Sequence, residues 1–263
     1  MSVLLIRLCG AMQSWGTKSR FYDRDTEDFP SKSGVLGIVG AALGRDRAED
    51  ISDLTALKFG VRKLKSGGQK KEWQTVEDPT DDKNYGFPYR KYYLSDADFV
   101  VGLEGDRALL EQINSALRNP VYPLFLGRKS YVAAKPFSLP KNGIVETPLF
   151  DALRDFRYHA IIDKEEIKRM KYKYFDTEKQ VRKDWNGEEV VYEQTMLLDA
   201  DVPVGQEPIL NTKLQDLPIS FADRNYMLRD VSLYQVKYDI EKDLAYLNDG
   251  DIKKEKGGED VPE

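Results

Sequence analysis

The chain has 263 residues, 41% of them apolar, with 40 basic against 45 acidic side chains and a net charge of −5. That length and apolar content suffice for one large domain or two modest ones. No window reaches the roughly 18 consecutive apolar residues of a membrane span, and the charge argues against a free-standing, strongly basic nucleic-acid binder.

Residues 3–9 form an apolar run that predicts a first strand, and Arg7 interrupts it too soon for a signal peptide. Cys9 is the only cysteine, so no internal disulfide forms. It reads as a small buried hydrophobe in a cytoplasmic protein. A polar and aromatic loop follows, carrying Gln13, Ser14, Trp15, Lys18, Arg20, Tyr22, Arg24 and Thr26. Residues 32–43 predict a short apolar helix with Ser31 as its N-cap and Gly44 ending it. Gly34, Gly37 and Gly40 lower helix propensity, so this helix is expected to pack closely on a sheet.

A second strand is predicted over residues 57–65 and a third over 97–104. Between them, residues 66–90 form an excursion with little periodicity that holds Lys70, Lys71, Trp73 and an acidic stretch at 77–82. A second helix is predicted over 107–118, capped by Asp106, with Leu109, Leu110, Ile113 and Leu117 on one face. A fourth strand is expected at 131–134, after the basic turn at Arg128 and Lys129. The order β-α-β-β-α-β is the ferredoxin-like pattern of an α+β fold.

Beyond Pro136, strand-like runs at 157–163, 189–198 and 226–238 suggest a β-rich part packed on the first. From 239 to 263 nine acids meet four lysines, so this stretch carries the whole net charge and residues 1–238 balance at 36 of each sign. It reads as a solvated, disordered tail. The expected organisation is therefore a first domain over 1–136 with an insertion at about 66–90, a β-rich part over 137–238, and the acidic tail.

One histidine and one cysteine exclude the common zinc clusters and a Cys-His nucleophile. The helix glycines have the spacing of neither dinucleotide nor P-loop motifs, and no cofactor or metal is implied. His159 sits in a probable strand, where general acid or base work competes with plain burial. Ser31, Lys32 and Ser33 place hydroxyls, an ammonium and free N–H groups at a helix N-terminus, which favours an anion. Trp15 beside Gln13 and Ser14 offers a ring to stack a base and an amide to read its edge.

Residues 10–16 (GAMQSWG), 24–26 (RDT), 29–37 (FPSKSGVLG), 90–99 (RKYYLSDADF) and 122–130 (YPLFLGRKS) resemble the CasD family. These are subunits of the type I-E CRISPR surveillance complex, Cascade, within the RAMP superfamily. The similarity covers much of 1–136 and thins beyond it, although Asp223-Arg224-Asn225-Tyr226 leading to Leu228-Arg229-Asp230-Val231 looks like the family's late strand. The resemblance implies a ferredoxin-like RAMP core with an inserted β-hairpin thumb formed by the 66–90 excursion. It implies a non-catalytic protein that holds the crRNA 5′ handle, caps the filament of the Cascade backbone subunit and contacts the large subunit. Target DNA is met only through the complex, and no membrane is involved. Carried over by position, Gln13, Ser14, Trp15, Arg24, Thr26, Ser31, Lys32, Ser33, Arg128 and Lys129 line the handle site. Lys70, Lys71 and Trp73 lie near the handle–guide junction. Type I-C relatives cut repeat RNA without metal through a Tyr/Lys/His kind of site. A metal-independent endoribonuclease is thus the alternative, weakened because His159 lies outside the matched motifs.

Overall fold

The computed structural model describes residues 1–18, 22–76, 87–139, 143–157 and 192–238. The first strand, β1 (Ser2–Cys9), is buried along nearly its whole length. A largely apolar run of this kind, broken by Arg7, fits a strand covered on both faces. It pairs antiparallel with β7 (Asp98–Gly105), and β7 pairs antiparallel with β4 (Lys58–Lys65). Three further strands, β9 (Tyr192–Asp199), β10 (Leu210–Ser220) and β11 (Asn225–Tyr238), and the two-residue β8 (Ile144–Val145), complete a seven-stranded sheet. Its order is β10-β11-β9-β4-β7-β1-β8. The C-terminal strands therefore extend the first sheet edge to edge through β9 and β4, where the sequence suggested a separate part packed on it.

Two helices cover one face. Helix α1 (Lys32–Leu43) is capped by Ser31, whose hydroxyl accepts from Gly34 N, and ends at Gly44 with φ 78°. Helix α3 (Arg107–Arg118) is capped by Asp106, which accepts from Leu109 N. Between them and the sheet lies the core of Leu4, Ile6, Leu8, Phe59, Val61, Phe99, Val101, Leu103, Val35, Leu36, Val39, Leu110 and Ile113. The short α2 (Ser52–Thr55) precedes β4. A fourth helix, α4 (Leu149–Arg154), lies over the other face. Gly60 and Gly102 stand directly opposite each other in β4 and β7. Their missing side chains leave a hollow that Leu149 and Leu153 fill. Glu104 accepts from Leu149 N at the start of α4, and Arg62 donates to Leu153 O at its end.

The fourth strand is not at 131–134. Residues 134–139 and 143–145 instead follow β1 through scattered bonds, Ala134 N to Cys9 O, Arg7 N to Phe137 O and Leu5 N to Gly143 O, with strand pairing again at β8. Pro136 cannot donate to a ladder, and Pro140 follows it. The periodicity of an edge is lost where its backbone is broken up this way.

The 66–90 excursion folds as β5 (Gly68–Val76) and β6 (Phe87–Ser95), paired antiparallel from Gly68↔Ser95 to Val76↔Phe87. On its other side β6 takes two short strands, β2 (Met12–Gln13) antiparallel and β3 (Asp23–Arg24) parallel. These four form the second sheet. The chain divides into two compact units, Met1–Leu153 with Thr195–Gln235, and Arg154–Gln194 with Val236–Glu263. The described residues of the second comprise 154–157 and the ends of β9 and β11, with an ion pair of Arg154 and Asp155.

A methyl group added at Gly102 would stand 2.4 Å from a Leu149 methyl that is fully buried. Gly102→Ala is expected to destabilise the protein by about 1–3 kcal/mol through overpacking. Urea unfolding of the variant measures this; an unchanged midpoint would show that α4 is free to shift.

Candidate nucleic-acid interface

The segments singled out in the sequence converge around Trp15. Its backbone N–H donates to Thr26 Oγ1 (2.9 Å), and Glu27 N donates to Trp15 O. The first turn of α1 lies against its ring, since a side chain on Gly34 would meet it at 2.9 Å. Ser14 N donates to Leu126 O (3.1 Å). Gly127, at φ 89°, passes so near that a Cβ there would fall 1.8 Å from Ser14 O. Only glycine fits that approach and that backbone conformation.

What these segments build is interior. Trp15 is 1% exposed, so neither face of its ring is open to a base. Its Nε1 donates to Gln13 Oε1 (3.2 Å), and the Gln13 amide in turn donates to Leu8 O and Ala97 O. Ser14, Thr26 and Ser31 are also buried, bonded to Asp25 O and Tyr92 O, to Trp15 N, and to Gly34 N respectively. Ser33 is half-buried beside Ser31. The resemblance places these side chains at the handle site, and in this structure they are bonded to the protein's own backbone and to one another. The signals were sound for polarity but silent on depth, because a buried amide–indole pair and a stacking site use the same residue types.

Lys32 also lies in the interior. It is 4% exposed, and its ammonium donates to Asp199 Oδ2 (3.1 Å). The N-terminus of α1, expected to hold a phosphate, already holds an anion: Lys32 N donates to Asp216 Oδ2 (2.7 Å). Arg229 grips Asp216 with Nε and Nη2 (2.9 and 2.8 Å), pairs with Asp199 through Nη1, and lies over the Phe59 ring at 5.2 Å. Asp199 also accepts from Phe59 N (2.9 Å). Two cations and two carboxylates thus balance in a buried cluster. Burial works against the Arg229 charge, but Asp216 and Asp199 outweigh it and hold the guanidinium above its ordinary pKa. Asp199, Asp216 and Arg229 were missed in sequence as partners of Lys32, since they lie 167 to 197 positions away.

The residues that do face outward are on the strand pair. Trp73 is 61% exposed, with Lys71 Nζ 4.1 Å and the Arg90 guanidinium 5.9 Å from its ring. Lys71 stands opposite Tyr92 and Trp73 opposite Arg90, so these four share one face. Arg90 also pairs with Asp23 across β3. The opposite face carries Lys70, Lys91, Arg24, Tyr89 and Tyr93. Tyr22 and Tyr93 extend it through ring contacts with Tyr89 (5.8 Å) and Tyr131 (6.0 Å). Arg128 lies over Tyr131, donating to its hydroxyl (2.7 Å) and to Arg24 O (3.2 Å). Burial raises the Tyr131 phenol above its usual pKa, with Arg128 acting against it. Arg24 and Lys129 are exposed. Arg90, Lys91 and Tyr92 lie in a stretch quoted for the resemblance, yet were not picked out as site residues; their alternation along one strand was the available signal.

Fold and surface define a sheet-rich α+β protein that displays cations and aromatic rings on a paired-strand extension. Residues 3–232 match the family described as CRISPR-associated protein (Cas_Cas5), and the chain belongs to that family. It is 32% identical over 158 residues to the CRISPR system Cascade subunit CasD of Escherichia coli (strain K12), covering 52% of this chain and 70% of the relative. A solved structure described as a Cas protein is 39% identical with a TM-score of 0.62, covering 89% of this chain and 95% of that one. A chain of a CRISPR RNA-guided surveillance complex shares the fold at a TM-score of 0.61 and 24% identity, covering 89% of this chain and 90% of that one.

Truncating Asp216, which is fully buried, would leave Arg229 short of a carboxylate. Asp216→Ala is expected to cost about 3–5 kcal/mol in urea unfolding. Lys213→Ala, breaking the exposed pair with Asp230, should cost at most about 1 kcal/mol. Equal small losses would contradict the structural role given to the cluster.

Proposed function

We propose that this protein is the Cascade subunit that holds the 5′ handle of the crRNA, acting in the cytoplasm as a non-catalytic part of the complex. The observation that carries this reading is the exposed Trp73 flanked by Lys71 and Arg90 on the strand pair. Family membership and the likeness to CasD support it. A ring open to solvent between two cations suits an unstacked base with its phosphates on either side. We read β5 and β6 as the thumb of the family. The run β1-α1-β4-β7-α3-β8, with β4, β7, β1 and β8 adjacent in that order, we read as its ferredoxin-like RAMP core.

In this reading the RNA-contacting set contracts to Arg24, Lys70, Lys71, Trp73, Arg128 and Lys129, joined by Arg90, Lys91 and Tyr92. Gln13, Ser14, Trp15, Thr26, Ser31, Lys32 and Ser33 shape the turn on which Arg24 and Arg128 are mounted. Capping of the backbone-subunit filament and contact with the large subunit belong to the same proposal, on the strength of the family resemblance. Target DNA is then met through those partners. The chain's one histidine, His159, lies outside the described residues, as do the acidic stretch 77–82 and residues 239–263. No step of RNA cleavage is assigned to this chain.

The test is retention of labelled CRISPR repeat RNA by the full chain together with the backbone subunit, on native gels. Trp73→Ala should weaken retention by roughly 5- to 150-fold, the value of about 1–3 kcal/mol for one stacked base. Lys71→Ala should lower affinity and flatten its salt dependence. Retention unchanged in both variants at several salt concentrations would overturn the proposal.

A further inference from the structure

Lys63 breaks the pattern of the strand that carries it. In β4, residues Phe59, Val61 and Lys63 share the helix-covered face, and Lys63 stands opposite Phe99 in β7. The first two are fully buried core, whereas the third places an ammonium at the end of an otherwise apolar row. Its Nζ lies over the Phe29 ring at 4.3 Å. Several other cations in and around this sheet have carboxylates in contact, Arg7 with Asp98, Lys32 with Asp199, Lys58 with Glu104 and Arg229 with Asp216, while the fully buried Arg62 donates to Leu153 O. Among the described residues Lys63 makes no ion pair; Asp28 acts on it only at longer range. Burial accordingly holds its ammonium below the ordinary lysine pKa.

A half-buried cation with no carboxylate in contact among the described residues costs stability, and an incoming anion would offset that cost. The position suits that role. A register shift after Lys63 marks the end of the regular β4–β7 ladder, next to the start of β5. Phe29 belongs to the loop that Thr26 and Glu27 tie to Trp15. Lys63 therefore lies between the framework around Trp15 and the strand pair that displays Trp73.

We infer that Lys63 is a phosphate contact for the RNA backbone, an ammonium held ready over Phe29 and completed by the RNA rather than by the protein. The inference rests on the RNA-holding role proposed above. Asp28 and Glu27 do not stand in its way: Asp28 is exposed, and Glu27 is engaged by the Thr17 hydroxyl.

Lys63→Met keeps the length and the contact with Phe29 while removing the charge; Lys63→Arg keeps the charge. In chloride buffer the Met variant is expected to melt a few degrees above the native chain, since an uncompensated charge is gone. Adding inorganic pyrophosphate should raise the melting point of the native chain and of Lys63→Arg but not of Lys63→Met, closing the gap. With CRISPR repeat RNA and the backbone subunit, Lys63→Met should retain RNA about three- to tenfold less well at low salt. Its salt slope should fall by about 0.7, as for one phosphate contact on a single strand. Melting points that are equal in chloride and respond equally to pyrophosphate would overturn the inference. So would an unchanged salt slope in Lys63→Met while Trp73→Ala weakens retention. If Trp73→Ala and Lys63→Met both leave retention unchanged, the RNA-holding role itself fails, and the inference with it.

Discussion

The buried cluster of Lys32, Asp199, Asp216 and Arg229 is the constraint on which the rest of the structure depends. Each member comes from a different element: the start of α1, the end of β9, β10 and β11. Removing four charges from water is unfavourable unless each finds its partner, so the cluster tolerates one arrangement of these elements. It fixes the N-terminus of α1 against the C-terminal strands and, through Phe59 N, against β4. The convergence of Trp15, Gly34 and the turn at Gly127 follows from where α1 begins.

That arrangement also occupies the N-terminus of α1. A helix N-terminus with two serines and a lysine is an attractive anion site in sequence, yet its dipole is already satisfied by Asp216. Cations and rings open to solvent lie on the β5–β6 pair, where Lys71, Trp73, Arg90 and Tyr92 share a face. The division is physically sensible. Rigid groups below hold the loops of Arg24 and Arg128, and the cations above remain exposed to solvent, where Coulomb attraction to a polyanion is long-ranged and salt-dependent.

Much of the fold was legible because periodicity and capping are local. The helix at Lys32–Leu43, with Ser31 and Gly44 at its ends, and the helix at Arg107–Arg118, with Asp106, were readable to the residue. The three central strands were readable to within a position or two. The fourth was misplaced because its segment follows β1 by scattered bonds around Pro136 and leaves no alternation to read. Strand β10, mostly exposed and carrying Pro218, gave no apolar pattern and was missed. Depth was the other gap. Trp15 and Trp73 look alike in a sequence, but one is core and the other is open, and only long-range pairing separates them. The same holds for Lys32 and Lys63, whose partners, or lack of them, depend on residues far along the chain.

If the RNA is held as proposed, it meets the strand pair and not the polar framework around Trp15. The most direct test is ultraviolet crosslinking of the full chain, with the backbone subunit, to CRISPR repeat RNA, followed by mass spectrometry of the crosslinked peptides. Crosslinks are expected at Trp73, Tyr92 and their neighbours in 68–76 and 87–95, with none at Trp15. Crosslinks centred on Trp15 and residues 31–34, with the strand pair unmarked, would contradict it.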